Sequence, residues 1–226
     1  MSFLDLRGLA DATSSNSLSN KLREKRFALF TSLLNRLPKR IRIVDIGGTL
    51  SYWQNRGWVG KDGVQITIIN LDTEELDFEN VSVRSGNALD LSEYADRAFD
   101  VAYSNSVIEH LFNYHNQTKM AREVQRIAKA YWVQTPNYWF PIEPHFHIPG
   151  WQWLPRQVRV NLLMRTRCGW RGPIPNRKQA ESQVDEVRLM TGAEVSQLFP
   201  NATLWKEKFF GITKSLVAYG GFESAR

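Results

Sequence analysis

A glycine pair at the end of a short apolar strand is the feature that most limits what this chain can fold into. The run Val44-Asp45-Ile46 leads directly into Gly47-Gly48. Glycine accepts the tight dihedrals of a strand-to-helix turn and lets a ligand approach bare backbone there. A Gly-Gly pair alone also fits an ordinary tight turn, so its interpretation depends on the residues further along the chain.

Strand-like runs separated by helix-length intervals surround the glycine pair. We predict strands at 41–46, 64–70, 81–83, 99–104 and 131–135, with a helical stretch over 111–129. This alternation is typical of an α/β fold with a parallel sheet and helices on both faces. The sequence Thr191-Gly192-Ala193-Glu194 has capping-box spacing and predicts a helix start, before two closing strands at 202–210 and 214–219.

Polar residues follow several of the predicted strands, where the carboxyl ends of parallel strands share one edge of the sheet. Asp72 ends the second strand and is placed to accept hydrogen bonds from ribose hydroxyls. Gly86-Asn87-Ala88 follows the third strand, and Ser104-Asn105 ends the fourth. Together with the glycine turn, these residues predict a nucleotide-like ligand at this edge.

These motifs resemble those of the class I S-adenosylmethionine-dependent methyltransferases, especially the small-molecule, methyltransferase-11-like branch. The likeness covers roughly residues 40–136, and its most family-specific part is Ser104-Asn105-Ser106-Val107-Ile108-Glu109-His110-Leu111. It implies a Rossmann-like, seven-stranded, mostly parallel sheet with a reversed final strand, and S-adenosylmethionine lying across the carboxyl ends of the strands. The cofactor-binding residues that it implies are Asp45, Gly47, Gly48, Thr49, Asp72, Asn87, Ala88, Ser104, Asn105 and His110.

The chain departs from that family at two places. Thr49 and Ser51 stand where the family usually has its second and third glycines, and Asn87 stands where an aspartate often binds the adenine amino group. The Asn87 carbonyl oxygen can still accept that hydrogen bond. A nicotinamide-dinucleotide site needs Gly-x-Gly-x-x-Gly, which this turn lacks, and it gives Glu109-His110 no role, so methyl transfer is favoured.

The chain is predicted to form a single domain over 1–226 with four parts. They are an N-terminal arm and helix (1–38), a cofactor-binding core (40–136), a lid or substrate insertion (137–182), and a closing helix with two strands (183–226). The insertion is aromatic and basic, and it follows the fifth strand. Six of the nine prolines lie within 141–180, so this segment cannot form a regular layer of the sheet.

The start of the insertion holds the candidate catalytic residues, Glu143, His145 and His147. Methyl transfer requires the acceptor to be held in line with the methyl group, and a hydroxyl or amine must also lose a proton. We predict His145 as the general base, with His147 as the next candidate, although loop-fixing hydrogen bonds explain either residue equally well. Because His145-x-His147 with Glu143 lacks a further ligand, no metal site is expected.

The formal charge of +6 is unevenly distributed. Residues 20–42 carry +7 and residues 141–180 carry +6, so the rest of the chain is acidic. The basic segments fit a solvated helix face, an anionic small-molecule acceptor bound by arginine, or peripheral contact with a membrane surface. The single cysteine excludes an internal disulfide, and no signal-like or membrane-spanning apolar run is present, so a cytoplasmic location is expected.

Two other functions stay open at this point. An RNA methyltransferase would use the basic and aromatic residues for single-stranded bases, but no accessory nucleic-acid domain and no Asn-Pro-Pro-Tyr-type motif is present, so nucleic acid is not expected as a partner. A non-catalytic binding protein on the same fold is compatible with the missing glycines at 49 and 51. The acceptor's identity and the oligomeric state cannot be predicted from the sequence.

Overall fold

The computed structural model describes residues 18–71 and 73–223, which divide into two compact units. The first unit, residues 1–39 with 222–226, contains helix α1 (Leu18–Leu34). Within it, the ring of Phe30 meets that of Phe222 edge-on at 6.5 Å. Helix α1 agrees with the helix predicted within residues 1–38, while part of the predicted arm lies outside the described residues.

The second unit, residues 40–221, is built on an eight-stranded sheet in the order β3-β4-β2-β1-β5-β6-β8-β7. Strands β1, β2, β4, β5 and β6 are parallel, whereas β8 runs antiparallel to β6 and to β7. The strands are β1 (Ile41–Ile46), β2 (Val64–Asn70), β3 (Leu76–Phe78), β4 (Val81–Ser85), β5 (Phe99–Asn105), β6 (Ala128–Pro136), β7 (Thr203–Phe209) and β8 (Ile212–Gly220). The mostly parallel sheet with a reversed final strand is confirmed.

The predicted count of seven strands was one too low, because β3 was missed. This three-residue strand pairs antiparallel with β4 at the edge of the sheet, and all three of its residues are exposed. Such a short strand has no buried face to create an alternating pattern. The predicted third and fifth strands were also too short, since β4 continues to Ser85 and β6 begins at Ala128.

Five helices of this unit connect or cover the strands. They are α2 (Leu50–Gln54), α3 (Tyr114–Ile127), α4 (Arg156–Arg165), α5 (Arg177–Asp185) and α6 (Gly192–Leu198). The predicted capping box is confirmed, because Thr191 and Glu194 exchange hydrogen bonds at the start of α6. Two short 3-10 turns, Ile108–His110 and Trp151–Trp153, add to these.

The insertion after β6 has a hydrophobic core of its own. Phe146 and Trp151 stack at 4.2 Å and pack with Val160 and Leu163 from α4. A separate core lies where α3 and α6 pack on the sheet. Prolines flank the two helices of the insertion rather than interrupt them, and Pro155 directly precedes α4. Among the described residues, no helix has the length and apolar character that crossing a membrane requires.

Candidate functional site

The glycine turn closes β1 against neighbouring segments. Gly47 has a φ of 78°, which favours glycine, and its N–H donates to the carbonyl of Ile69 (2.8 Å). A Cβ on Gly47 would lie 2.6 Å from a methyl carbon of Val107, and one on Gly48 would lie 1.8 Å from Asp45 Oδ2. Both glycines are half-buried, so what reaches the surface at this turn is backbone.

Asp45 organises the turn from the inside. Its side chain is buried, and Oδ2 accepts a hydrogen bond from the indole Nε1 of Trp53 (2.7 Å), which is also buried. Burial raises the pKa of Asp45 to about 7, although the hydrogen bond from Trp53 opposes this rise. Thr49 caps α2 by accepting a hydrogen bond from the backbone of Tyr52 (3.3 Å). These local bonds hold α2 against the end of β1.

The other predicted cofactor residues lie at the carboxyl ends of β4 and β5. Asn87 is exposed, and its Oδ1 accepts a hydrogen bond from a backbone N–H two residues further on (3.0 Å). Ala88 packs against the sheet core. Ser104 is buried and donates to the carbonyl of Ile46 (3.1 Å), whereas Asn105 is half-buried at the last position of β5. The parallel strands therefore bring these residues to one edge with the glycine turn.

This edge fits the cofactor that the resemblance implies. An adenosine needs partners for neutral hydroxyl and amino groups and an apolar surface for its base. The edge offers backbone at Gly47 and Gly48, the amide of Asn87, and the side chain of Leu71, which is 64% exposed directly after β2. Asp72, the predicted ribose ligand, lies outside the described residues, so its role stays a prediction.

Two histidines meet beyond this edge. Nε2 of His110, in the 3-10 turn after β5, lies 3.1 Å from Nε2 of His145, and the two rings are nearly perpendicular. Each ring is held from behind by a carboxylate. Nδ1 of His110 lies 3.0 Å from Glu186 Oε1, and Nδ1 of His145 lies 2.5 Å from Glu143 Oε1. We call these four residues and Glu109 the histidine cluster.

Glu143 fixes the insertion and the imidazole ring together. Its side chain is 1% exposed, and Oε2 accepts hydrogen bonds from the backbone N–H groups of His145 and Phe146, both at 2.7 Å. Glu186 is paired in turn with Arg171, whose Nη1 lies 3.1 Å from Glu186 Oε2. The orientation of both imidazoles is therefore set by carboxylates that are themselves held in place.

Glu109 is the fifth member of the cluster, and it is fully buried. Its Oε2 accepts a hydrogen bond from Oγ1 of Thr135 (3.0 Å). Oε1 is buried and has no hydrogen-bond partner within the described residues. Burial raises the pKa of Glu109 to about 7. A buried carboxylate oxygen without a partner is costly in a folded protein and is characteristic of a functional site.

The two histidines differ in proton affinity. Burial and the charge of neighbouring His145 lower the pKa of His110, although Glu186 acts in the opposite direction. Burial also favours the neutral form of His145, but the hydrogen bond and charge of Glu143 outweigh it, so the pKa of His145 is raised. A proton held by the pair therefore resides on His145.

The structure brings together two of the three predicted catalytic residues, Glu143 and His145. His147 is directed elsewhere: its ring packs edge-on against Trp170 at 5.4 Å. His110, predicted beside the cofactor, contacts His145, and its role toward the cofactor stays a prediction. Sequence reasoning missed Glu186 as a partner, because nothing local links it to a histidine 76 residues earlier.

A cavity of about 380 Å³ adjoins the cluster through Glu143. Its polar lining includes Gln152, Arg159 and Arg188, and apolar walls come from Phe146, Trp151, Val187 and Leu189. Nε of Arg159 and Oε1 of Gln152 are both buried without a hydrogen-bond partner within the described residues. The lining therefore carries charges of both signs, from Arg159 and Arg188 and from Glu143 and Glu194, beside the neutral amide of Gln152.

Comparison with known proteins points to one family. The family described as "Methyltransferase domain" matches residues 30–130 of this chain. A 55-residue segment is also 38% identical to an uncharacterized protein of Mycobacterium tuberculosis, found in two strains. That segment covers 24% of this chain and 19% of the relative, so the match spans about a fifth of the relative's length.

Solved structures support the same fold. A possible exported protein from Bordetella parapertussis superposes with a TM-score of 0.53 at 16% identity, covering 87% of this chain and 67% of that one. An O-methyltransferase family protein from Burkholderia thailandensis has a TM-score of 0.53 at 10% identity, covering 92% of this chain and 59% of that one. At such low identities these likenesses concern the fold alone.

Proposed function

We propose that this protein, whose residues 30–130 form a class I S-adenosylmethionine-dependent methyltransferase domain, transfers a methyl group from that cofactor to a small-molecule acceptor. The acceptor atom is a hydroxyl oxygen or an amine nitrogen, and saccharide and lipid intermediates are the acceptor classes we favour. The observation that carries the proposal is the pair of buried Glu143 and half-buried His145, in which His145 contacts His110 after β5 and Glu143 lines the cavity.

The pair connects to the cofactor edge through a short path. Val107 packs at the glycine turn, since a Cβ on Gly47 would collide with it, and His110 follows three residues later. Nε2 of His110 then contacts His145, which Glu143 holds beside the cavity. The path from the glycine turn to the cavity therefore runs through the rings of His110 and His145 and ends at the Glu143 carboxylate, which lines the cavity.

Methyl transfer requires few further contributions from the protein. S-adenosylmethionine supplies a methyl group on a positively charged sulfur, so the acceptor needs alignment, exclusion of water and loss of one proton. The acceptor atom forms a bond to the methyl carbon as the carbon–sulfur bond breaks, and the electron pair stays on sulfur. We assign to His145, oriented by Glu143, the role of promoting the loss of the acceptor's proton.

The cavity supports an acceptor that carries an anionic group. Arg159 has a buried Nε without a partner among the described residues, and a guanidinium binds phosphate or carboxylate in a bidentate manner. Gln152 Oε1 is likewise buried and unpaired there, and it can accept a hydrogen bond from an acceptor hydroxyl. These two atoms make a phosphate- or nucleotide-linked saccharide a better match than a neutral glycoside.

The proposal is tested by calorimetry and by product formation. We expect S-adenosylmethionine to bind, and S-adenosylhomocysteine to form when phosphorylated or nucleotide-linked acceptors are added, with slower formation for neutral analogues of the same ring. Absence of cofactor binding at millimolar concentration would leave only a non-catalytic role. Salt-sensitive binding and methylation of RNA, with no turnover of small acceptors, would favour an RNA methyltransferase instead.

A further inference from the structure

The histidine cluster presents an electrostatic problem that a bound cation solves. Each imidazole directs Nδ1 at a carboxylate, Glu186 for His110 and Glu143 for His145. In the neutral tautomer that donates this hydrogen bond, Nε2 carries the lone pair. With both rings neutral, the two lone pairs face one another at 3.1 Å, and either a proton on Nε2 of His145 or a metal ion bound by both nitrogens relieves their repulsion.

The donor atoms have the spacing of a metal site. Two nitrogens bound to one tetrahedral Zn²⁺ at about 2.0–2.1 Å lie about 3.3–3.4 Å apart. The two Nε2 atoms are close to that separation already, and a carboxylate oxygen of Glu109 completes a set of three donors within 4.8 Å of one another. Glu109 also has the buried Oε1 that finds no partner among the described residues.

The surroundings support a dication as well. Carboxylates that accept a hydrogen bond from the far nitrogen of a metal-bound histidine fix its tautomer and raise its basicity. Glu143 and Glu186 hold that position here. The three glutamates of the cluster are opposed by Arg171, which pairs with Glu186. Metal binding displaces the protons of Glu109 and His145, and the three ionised glutamates are then balanced by Arg171 and one divalent ion.

We propose that Glu109, His110 and His145 bind one divalent transition-metal ion of the Zn²⁺ type, with an open coordination position for an oxygen of the acceptor. Two imidazoles with one carboxylate are a donor set that suits Zn²⁺, Co²⁺ and Fe²⁺. An ion at this place would lower the pKa of a hydroxyl that it binds, so His145 would promote the acceptor's proton loss as a ligand of the ion. The catalytic use of the ion rests on the proposed function, but the existence of the site does not.

This inference departs from the sequence-based expectation that the chain has no metal site. The metal ligands considered there were Glu143, His145 and His147, within a single loop. In the structure Glu143 lies behind the His145 ring and His147 packs on Trp170. The other two ligands come from the post-β5 segment, which meets the loop only in the folded chain.

The site is tested by measuring metal in the full-length protein. We expect about one Zn²⁺ per chain after purification without chelator, and saturable rebinding of Zn²⁺ and Co²⁺ after chelation, with visible absorption from Co²⁺. His145→Ala and Glu109→Gln should weaken Co²⁺ binding at least tenfold, whereas His115→Ala, at an exposed position of α3, should not. Equal binding by His145→Ala and the wild type would overturn the proposal.

The wild-type titration decides the matter even if a variant does not fold. A folded wild-type protein that binds neither Zn²⁺ nor Co²⁺ in the micromolar range or tighter has no such site. Undiminished methyl transfer after chelation removes the ion from the reaction and leaves the proposed function intact. Stoichiometric metal without transfer to any acceptor, in contrast, supports the site and counts against the proposed function.

Discussion

The glycine turn and the histidine cluster differ in how far apart in sequence their hydrogen-bond partners lie. At the turn, Trp53 donates to Asp45 eight residues earlier and the Tyr52 backbone donates to Thr49, while Ser104 of β5 adds one long-range bond to the Ile46 carbonyl. In the cluster, the partners of Glu109 and His110 are 26, 35 and 76 residues away. The turn satisfies its buried polar atoms, whereas the cluster and its cavity leave three without partners among the described residues. The hydrogen bonds of the turn are therefore complete within the protein, whereas the cluster and its cavity keep polar atoms that a ligand can bind.

The largest effect should come from breaking the cluster while leaving the turn alone. His145→Ala is expected to lower turnover by about 10²–10⁴-fold, because it removes the group that promotes proton loss. Affinity for S-adenosylmethionine should be nearly unchanged, since the cofactor edge lies on other strands. Steady-state kinetics and calorimetry measure the two quantities, with His115→Ala as the control. An equal loss of turnover and cofactor affinity would contradict the division between the two regions.

Asp45, at the glycine turn, is expected to make the stability of the folded protein depend on pH. The pKa of Asp45 is about 7 in the fold, above its ordinary 3.8, so the folded protein binds a proton that the unfolded chain releases. This contribution is complete below about pH 4 and is lost as the pH rises through 7. Between pH 5 and pH 8, the unfolding free energy of the wild type should therefore fall by about 3 kcal/mol more than that of Asp45→Asn.

Urea unfolding at the two pH values measures that difference. Asparagine keeps an oxygen for the indole of Trp53, so the comparison concerns the titration rather than the hydrogen bond. Parallel pH profiles for the variant and the wild type would show that Asp45 is ionised in the fold.

A smaller effect should distinguish the energetic cost of close packing at Gly47 from the cost of its backbone conformation. Gly47→Ala places a methyl group 2.6 Å from Val107 at a positive φ, whereas Gly57→Ala has a similar φ and open space around it. Both changes carry a cost of about 1 kcal/mol for the left-handed conformation. Gly47→Ala should lose about 2 kcal/mol more, because overpacking adds to it. Equal losses in urea unfolding would mean that Val107 moves aside freely.

The smallest effect concerns the cavity. Arg159→Gln should raise KM for an anionic acceptor about tenfold and leave KM for its neutral analogue unchanged, since one charged hydrogen bond is lost. Arg165→Gln, on the exposed side of the same helix, is the matched control. A uniform rise in KM for both acceptors would assign Arg159 to the packing of the insertion.

The sequence predicts the turn better than the cluster for a physical reason. Strand, glycine pair and helix cap are local patterns, and the five parallel strands, the reversed β8 and the Thr191 capping box all agree with their predictions. Strand β3 was missed because its exposed residues create no hydrophobic pattern. The contact between His110 and Glu186 depends on how the insertion folds back, which no local pattern encodes.

His147 shows how one backbone angle can separate neighbouring side chains. Alternation along an extended segment would place His145 and His147 on the same side. His147 instead has a φ of 51°, and its N–H donates to the carbonyl of Glu143 (2.9 Å), so the chain turns there. The ring is carried to Trp170, and only His145 stays with Glu143 in the cluster.

The hydrogen bonds of Glu143 also determine how the loop around it moves. One carboxylate holds the His145 ring and two consecutive backbone amides, those of His145 and Phe146. All three bonds lie within residues 143–146, so they fix the shape of the loop and stay intact when the loop moves relative to the core. Residues 143–146 therefore move as one rigid unit, and the amide hydrogens of His145 and Phe146, which share one acceptor, are expected to exchange with solvent together.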